Sequence, residues 1–149
     1  MLYIAADHAG YPLKEELKPY LQELGFEVED LGNEQLDPSD DYPDFAYRLA
    51  RNLLDNTEEG SKGILICGTG QGMCIAANKV DGIRAVFVYD EFTARQAAEH
   101  INANVICLGG RVTDSEMGKK LVKFWLETEY IPEERHKRRI EKIENIERS

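Results

Sequence analysis

Short β-type runs alternate with helical patterns along nearly the whole chain. The runs are LYIAA (2–6), FEVEDL (26–31), GILIC (63–67), RAVFVY (84–89) and NVICLG (104–109). Between the first two, Leu13, Leu17, Leu21 and Leu24 recur at helical spacing, with Pro12 in a first-turn position and Gly25 as a stop. Phe45, Leu49 and Leu53 repeat that period, and helix-like stretches follow at 71–80, 91–101 and 113–128. Strands that alternate with helices of this length form βαβ units, and their parallel strands are joined by right-handed crossovers. The pattern predicts an α/β fold with an open, doubly wound, five-stranded parallel sheet and helices on both faces, with the strand order left open. At 149 residues the chain is read as one domain, 1–149, and an apolar share of 42% is enough for its core.

The charge sum is 18 − 28 = −10 with His neutral. A general nucleic-acid or membrane-surface role needs a basic footprint, so neither is expected. An anionic small molecule remains compatible, because local charge can oppose net charge. The longest apolar runs, such as AVFVY at 85–89, are about five residues against the roughly 20 that a membrane-spanning helix needs. MLYIAADHAG at the start lacks the basic stretch of a secretion signal. Cys67, Cys74 and Cys107 are an odd set, seven and 33 positions apart and without a CxxC pair. Neither a disulfide framework nor a zinc site is expected, and free thiols point to the cytoplasm.

Two segments break the rhythm. Residues 29–44 hold seven acids and no Lys or Arg, and with Asn33, Pro38 and Pro43 they read as a long, functional loop. The tail, 132–149, crowds Arg135, Lys137, Arg138, Arg139 and Lys142 into its first half, with Ile140, Ile143 and Ile146 as a thin apolar edge. Such a C-terminal helix needs a surface to lie on, and a partner subunit is the expected one.

Ligands of open parallel sheets bind at the carboxyl ends of the strands. There the sequence offers Asp7-His8, Gly32 onward, Gly68-Thr69-Gly70, Asp90 and Gly109-Gly110-Arg111. CGTGQGM (67–73) is the strongest local feature, with Gly68, Gly70 and Gly72 opening a helix whose free N–H groups favour an anion. Its GxGxG spacing is neither the dinucleotide fingerprint nor a P-loop, and a tight strand-to-helix turn accounts for the same glycines. Cys67 at that helix start is a candidate nucleophile or base, or else a small buried hydrophobe. Asp7 is a candidate acid or base, or else a cap for the helix near Gly10. His100 is a candidate acid or base, or else a surface histidine. Arg111, and Arg135 with Arg139 four residues apart on one helix face, suit phosphate oxygens. Acids at 133, 134, 141 and 144 balance the same basic run. Together these residues suit an enzyme acting on a small phosphorylated compound.

IAADHAG (4–10), DYPDFA (41–46), GILICGTGQGMCIAANKVDGIRA (63–85), NVICLGGRV (104–112) and RHKRR (135–139) run in one order over nearly the whole chain. In this the chain closely resembles the ribose-5-phosphate isomerase B family, which includes allose- and galactose-6-phosphate isomerases. The resemblance implies a Rossmann-like three-layer sandwich and an aldose–ketose isomerase that needs no metal or cofactor. It implies an active site between the subunits of a homodimer, with dimers able to pair into tetramers, in the pentose phosphate pathway. Cys67 is then the base that moves a proton between C2 and C1, assisted by Thr69, with the Gly68, Gly70 and Gly72 loop holding a cis-enediolate. Asp7 and His100 serve ring opening, His100 coming from the partner. Tyr42 lines the sugar site, and His8, Arg111, Arg135 and Arg139 bind phosphate. A second version of the family uses a glutamate base; Cys67 together with Met73 makes this chain the cysteine type. The family's Asn after the ring-opening histidine is here Ile101, so Asn102 is the expected substrate contact. The expected substrate is ribose 5-phosphate; a hexose 6-phosphate, or a phosphometabolite-binding role without catalysis, are the alternatives.

Overall fold

A computed structural model describes residues Met1–Ser149. Five strands, β1 (Leu2–Ala6), β2 (Val28–Asp30), β3 (Lys62–Cys67), β4 (Ala85–Phe87) and β5 (Val105–Gly109), form one parallel sheet in the order β2-β1-β3-β5-β4. The helices are α1 (Tyr11–Glu23), α2 (Tyr42–Asp55), α3 (Gln71–Asn78), α4 (Glu91–Glu99), α5 (Ser115–Glu127) and α6 (Glu134–Glu147).

The sheet is buried on both faces because side chains alternate along each strand. Ile4, Ala6, Ile64, Ile66, Ile106 and Leu108 face a core completed by Leu17 and Leu21 of α1, Ala97 of α4 and Trp125 of α5. Tyr3, Ala5, Leu65, Cys67, Val105 and Cys107 face the opposite core, completed by Phe45 and Leu49 of α2 and Met73 and Ala77 of α3. The expected three-layer sandwich is therefore present.

The edge strands β2 and β4 are shorter than the apolar runs that announce them. Around β4, side chains take over the pairing: Arg84 N–H donates to Asn104 Oδ1 (2.8 Å) and Tyr89 N–H to Thr93 Oγ1 (3.1 Å). Asp114 Oδ1 accepts Met117 N–H at 2.8 Å, so α5 starts at Ser115 rather than 113. The loop read as 29–44 is narrower, 31–41, because Glu29 and Asp30 pair with β1 and α2 begins at Tyr42. No helix is long and apolar enough to cross a membrane.

The tail helix α6 lies along its own chain by one edge. Glu147 Oε1 accepts Gly82 N–H at 3.0 Å, and Arg84 pairs with Glu144 at 3.7 Å. Ile143 and Ile146 border a groove with Ile83, Val86 and Ile101, yet Ile146 stays 71% exposed, so most of the stripe is free for a further surface.

Strand order places β1 beside β3, with β2 on one side of the pair and β5 and β4 on the other. This is where successive connections diverge, and the loops leaving β1 and β3 open a crevice between them.

Candidate active site

Asp7 follows β1 directly and is buried. Its Oδ1 accepts the N–H groups of Ala9 (3.0 Å) and Gly10 (3.1 Å), so it caps the turn into α1 while lining the crevice. His8 is fixed by a residue 32 positions on: Asp40 Oδ1 accepts its backbone N–H at 2.9 Å and lies 2.8 Å from its Nδ1. That hydrogen bond to Asp40 raises the imidazole's pKa above its ordinary value. Burial opposes the shift, the charges of Asp7 and Asp40 add to it, and Arg111 subtracts from it.

Cys67 ends β3 and is only 4% exposed. The Gly70 N–H, at the cap of α3, donates to Cys67 Sγ at 3.2 Å, so the sulfur sits at the positive end of that helix. Gly70 does this at φ +81°, and a Cβ there would fall 2.8 Å from the Phe87 ring, so both conformation and space demand glycine. Thr69 Oγ1 accepts Gln71 N–H at 3.3 Å. Gly72 has the Tyr42 ring above it, so close that an added Cβ would lie 2.5 Å from the ring carbons.

Arg111 is brought over the same loop by backbone bonds from the turn after β5. Gly110 N–H donates to the Cys67 carbonyl (2.7 Å) and Arg111 N–H to the Gly68 carbonyl (3.0 Å). An added Cβ on Gly68 would sit 3.1 Å from Arg111 Nη1. Asp7, His8, Tyr42, Cys67, Thr69 and Arg111 thus surround one open cleft of about 330 Å³. The thiol and the amide loop share this cleft with the imidazole and with the guanidinium that lies over Gly68, so a sulfur and two nitrogen groups meet in one place.

His100, Asn102, Arg135 and Arg139 are not in this cleft of their own chain. His100 caps the C-terminus of α4, which runs back to the amino ends of the strands. Its ring lies 4.2 Å from that of His136 on α6, tilted by 31°. Asn102 is exposed at φ +48°, and its carbonyl accepts from Arg84 Nη2 at 2.8 Å. Arg135 and Arg139 are exposed at the start of α6, and Arg135 pairs with Glu133 at 2.9 Å. Beside the cleft, Val112 and Tyr89 are 65% and 59% exposed, an apolar surface next to Thr69 and Gln71.

Two features were not visible in the sequence pattern. Asp40 was one acid among seven in its segment, and nothing local marks it as the partner of His8. His136 stood inside a basic run and reads there as solvated, whereas it is 2% exposed, its Nδ1 lies 2.8 Å from the Ile131 carbonyl and its Nε2 has no partner. Cys107 is core as expected. Cys74, expected in the core, is only partly buried, and its hydrogen bond with Cys107 lowers its thiol pKa to about 7, with burial opposing and the Phe87 N–H assisting.

Asp7, His8 and Asp40 are the one group of side chains close enough to share a metal ion, with ligand atoms within 4.8 Å of one another. Asp7 Oδ1 and Asp40 Oδ1 are already engaged by the N–H groups of Ala9, Gly10 and His8.

Comparison with known proteins agrees with this geometry. Residues 2–143 match the model of the ribose/galactose isomerase family. The chain is 48% identical over 143 residues to a probable ribose-5-phosphate isomerase B of Mycoplasma genitalium, covering 95% of this chain and 92% of the relative. It is 43% identical over 127 residues to a D-erythrulose-4-phosphate isomerase of Pectobacterium atrosepticum, covering 85% and 82%. A crystal structure of Mycoplasma genitalium ribose-5-phosphate isomerase B with bound ribulose-5-phosphate superposes with a TM-score of 0.93 at 43% identity, over 99% of this chain and 96% of that one. A chain whose switch point carries this thiol, amide loop, imidazole and guanidinium, matched along nearly its whole length, belongs to the ribose/galactose isomerase family.

Proposed function

We propose that the protein interconverts ribose 5-phosphate and ribulose 5-phosphate, with Cys67 as the base. The observation that carries this is the Gly70 N–H on Cys67 Sγ at 3.2 Å, in a cleft that Cys67 shares with His8 and Arg111. After ring opening, the Cys67 thiolate takes the C2 proton of the aldose, and the bond electrons form the C1–C2 double bond of a cis-enediolate. The N–H groups of the 68–72 loop hold the oxygen that becomes negative. A proton passes from O2 to O1 with the help of Thr69, and the Cys67 thiol returns its proton to C1, leaving the C2 ketone. The amides supply the charge stabilisation, so the reading requires no metal. Asp7, and His100 of a second subunit, serve ring opening by moving a proton between O1 and the ring oxygen.

A homo-oligomer with shared sites is part of the proposal. It is supported by the separation of His100, Arg135 and Arg139 from their own cleft and by the exposed Val112 and Tyr89 beside it. The lack of disulfides among the three cysteines suits a cytoplasmic enzyme.

The test is formation of ribulose 5-phosphate from ribose 5-phosphate by the purified protein, beside Cys67→Ala, with and without a chelator. Turnover that survives chelation and vanishes in the variant supports the reading; an inert wild type or an active Cys67→Ala overturns it. A second reading, a different aldose or ketose phosphate, is favoured by Ile101 in the place of the family's Asn and by the erythrulose-4-phosphate relative. Comparing kcat/KM across four-, five- and six-carbon sugar phosphates decides between them.

A further inference from the structure

His8 lines the cleft, and with a carboxylate on its Nδ1 an imidazole is useful to a phosphate only if it is protonated and correctly aimed. Both conditions depend on what holds its other nitrogen. Here Asp40 Oδ1 takes both the backbone N–H and Nδ1 of His8, at 2.9 and 2.8 Å. The carboxylate is itself constrained: its side chain is 8% exposed, and its second oxygen accepts Asn33 Nδ2 at 3.0 Å. Asn33 is in turn pinned by its carbonyl, which accepts Lys14 Nζ at 2.7 Å. Lys14 is wholly buried and paired with Asp30 at 2.9 Å. A chain of polar contacts therefore runs from a buried lysine, through the acidic loop 31–41, to the imidazole at the cleft.

We propose that Asp40 is a positioning residue for sugar-phosphate binding: with Asn33 behind it, it fixes His8 by Nδ1 so that a protonated Nε2 faces the substrate phosphate. The proposal rests on the isomerase reading above. It explains why an acidic loop borders a site for an anion. One carboxylate of that loop is turned away from solvent and spent on the imidazole, so the pair presents a donor. The other groups facing His8 are Asp7 after β1, Asp37 in the same loop, Arg111 after β5, and Tyr42 and Cys67 across the cleft. Asp7 strengthens protonation as Asp40 does and Arg111 weakens it, while Asp37 is held as the carboxylate chiefly by its hydrogen bonds from Ser39, with the imidazole adding least.

The experiment compares wild type with Asp40→Asn, Asp40→Glu, His8→Asn and the Asp40→Asn/His8→Asn pair. It measures KM and kcat for ribose 5-phosphate across pH and the His8 ring titration by NMR. In Asp40→Asn the His8 titration moves down toward the ordinary 6.5. KM at pH 8 rises roughly tenfold, the scale of losing one orienting partner behind an imidazole ligand. KM converges with wild type as the pH falls and His8 protonates in both proteins, while kcat changes less. Asp40→Glu, which keeps a carboxylate, recovers part of both effects, and Asp40→Asn adds nothing once His8 is Asn. The phosphate group titrates identically in every protein, so the difference between variants isolates His8. Unchanged titration and KM in Asp40→Asn, or a full further loss in the double variant, overturns the proposal and leaves the isomerase reading standing. A wild type without turnover on any sugar phosphate overturns the isomerase reading instead, and with it the role given to Asp40.

Discussion

The Gly70 N–H points at Cys67 Sγ from 3.2 Å, across a turn that only glycine can make at φ +81°. The bond joins the last residue of β3 to the first turn of α3, so the strand fixes the sulfur and the helix supplies the positive dipole. Under the proposed mechanism, removing the thiol removes the proton carrier and little else. Cys67→Ala is expected to lower kcat by about 10³-fold, within the range of general-base catalysis. Its far-UV circular dichroism should match wild type, and its Tm should fall by only a few degrees. A variant with more than a tenth of wild-type kcat removes Cys67 from the mechanism.

Gly72→Ala places a methyl group where the Tyr42 ring now lies, 2.5 Å from its carbons. Tyr42 is 39% exposed and can turn outward, so the expected damage falls on the sugar site rather than the fold. KM should rise severalfold while stability changes by less than about 1 kcal/mol. Gly70→Ala is the contrast. Positive φ and the Phe87 contact act together, and a stability loss of about 2 kcal/mol or more is expected by urea unfolding.

The proposed sharing of sites between subunits makes a sharp prediction for mixed subunits. Cys67→Ala and His100→Asn are each expected to be nearly inactive alone. When they are mixed and allowed to exchange, a two-fold heterodimer carries one doubly damaged site and one intact site. About a quarter of wild-type activity should return if exchange is statistical. Absence of recovery, with exchange verified by native mass spectrometry, means His100 does not act across subunits.

Asp30 governs acid stability. Burial pushes its carboxyl pKa up, but hydrogen bonds from Lys18, Lys14 and the Gly32 N–H, with the Lys14 charge, outweigh this and hold it below the ordinary value. A depressed folded pKa means the carboxylate contributes stability above the unfolded value near 3.9, and that contribution is lost as pH falls through the folded pKa. Asp30→Asn leaves the fully buried Lys14 without its counter-ion. A loss of about 3 kcal/mol is expected at pH 7, since breaking a buried pair strands a charge. The gap between wild type and variant in urea unfolding should narrow below about pH 4. A gap independent of pH contradicts this account.

The architecture was legible because its signals are local. The leucines at 13, 17 and 21 all reached zero or near-zero exposure on α1, and each apolar run became a strand. The runs were long at the sheet edges, where Asn104 and Thr93 replace ladder bonds by side-chain contacts that no hydrophobic pattern encodes. The site was legible in part for the same reason: Asp7, His8, Cys67, Thr69 and Arg111 each end a strand or lie within two residues of its end, and a parallel sheet delivers such residues to one edge. Asp40 and His136 were not, since Asp40 pairs with His8, 32 residues away, and His136 packs against His100, from which β5 and α5 separate it in the chain.

The sequence by itself determined five strands, their parallel sense, the burial of both sheet faces and the glycines at the turn after β3, because periodicity, β-branching and φ preference act within a few residues. The tertiary structure alone decided the order β2-β1-β3-β5-β4, which puts Asp7 beside Cys67. It also decided the pairing of Asp40 with His8 and the removal of His100 and Arg139 from their own cleft. Those depend on where whole elements come to rest, and packing of buried surface sets that without leaving a periodic trace in the chain.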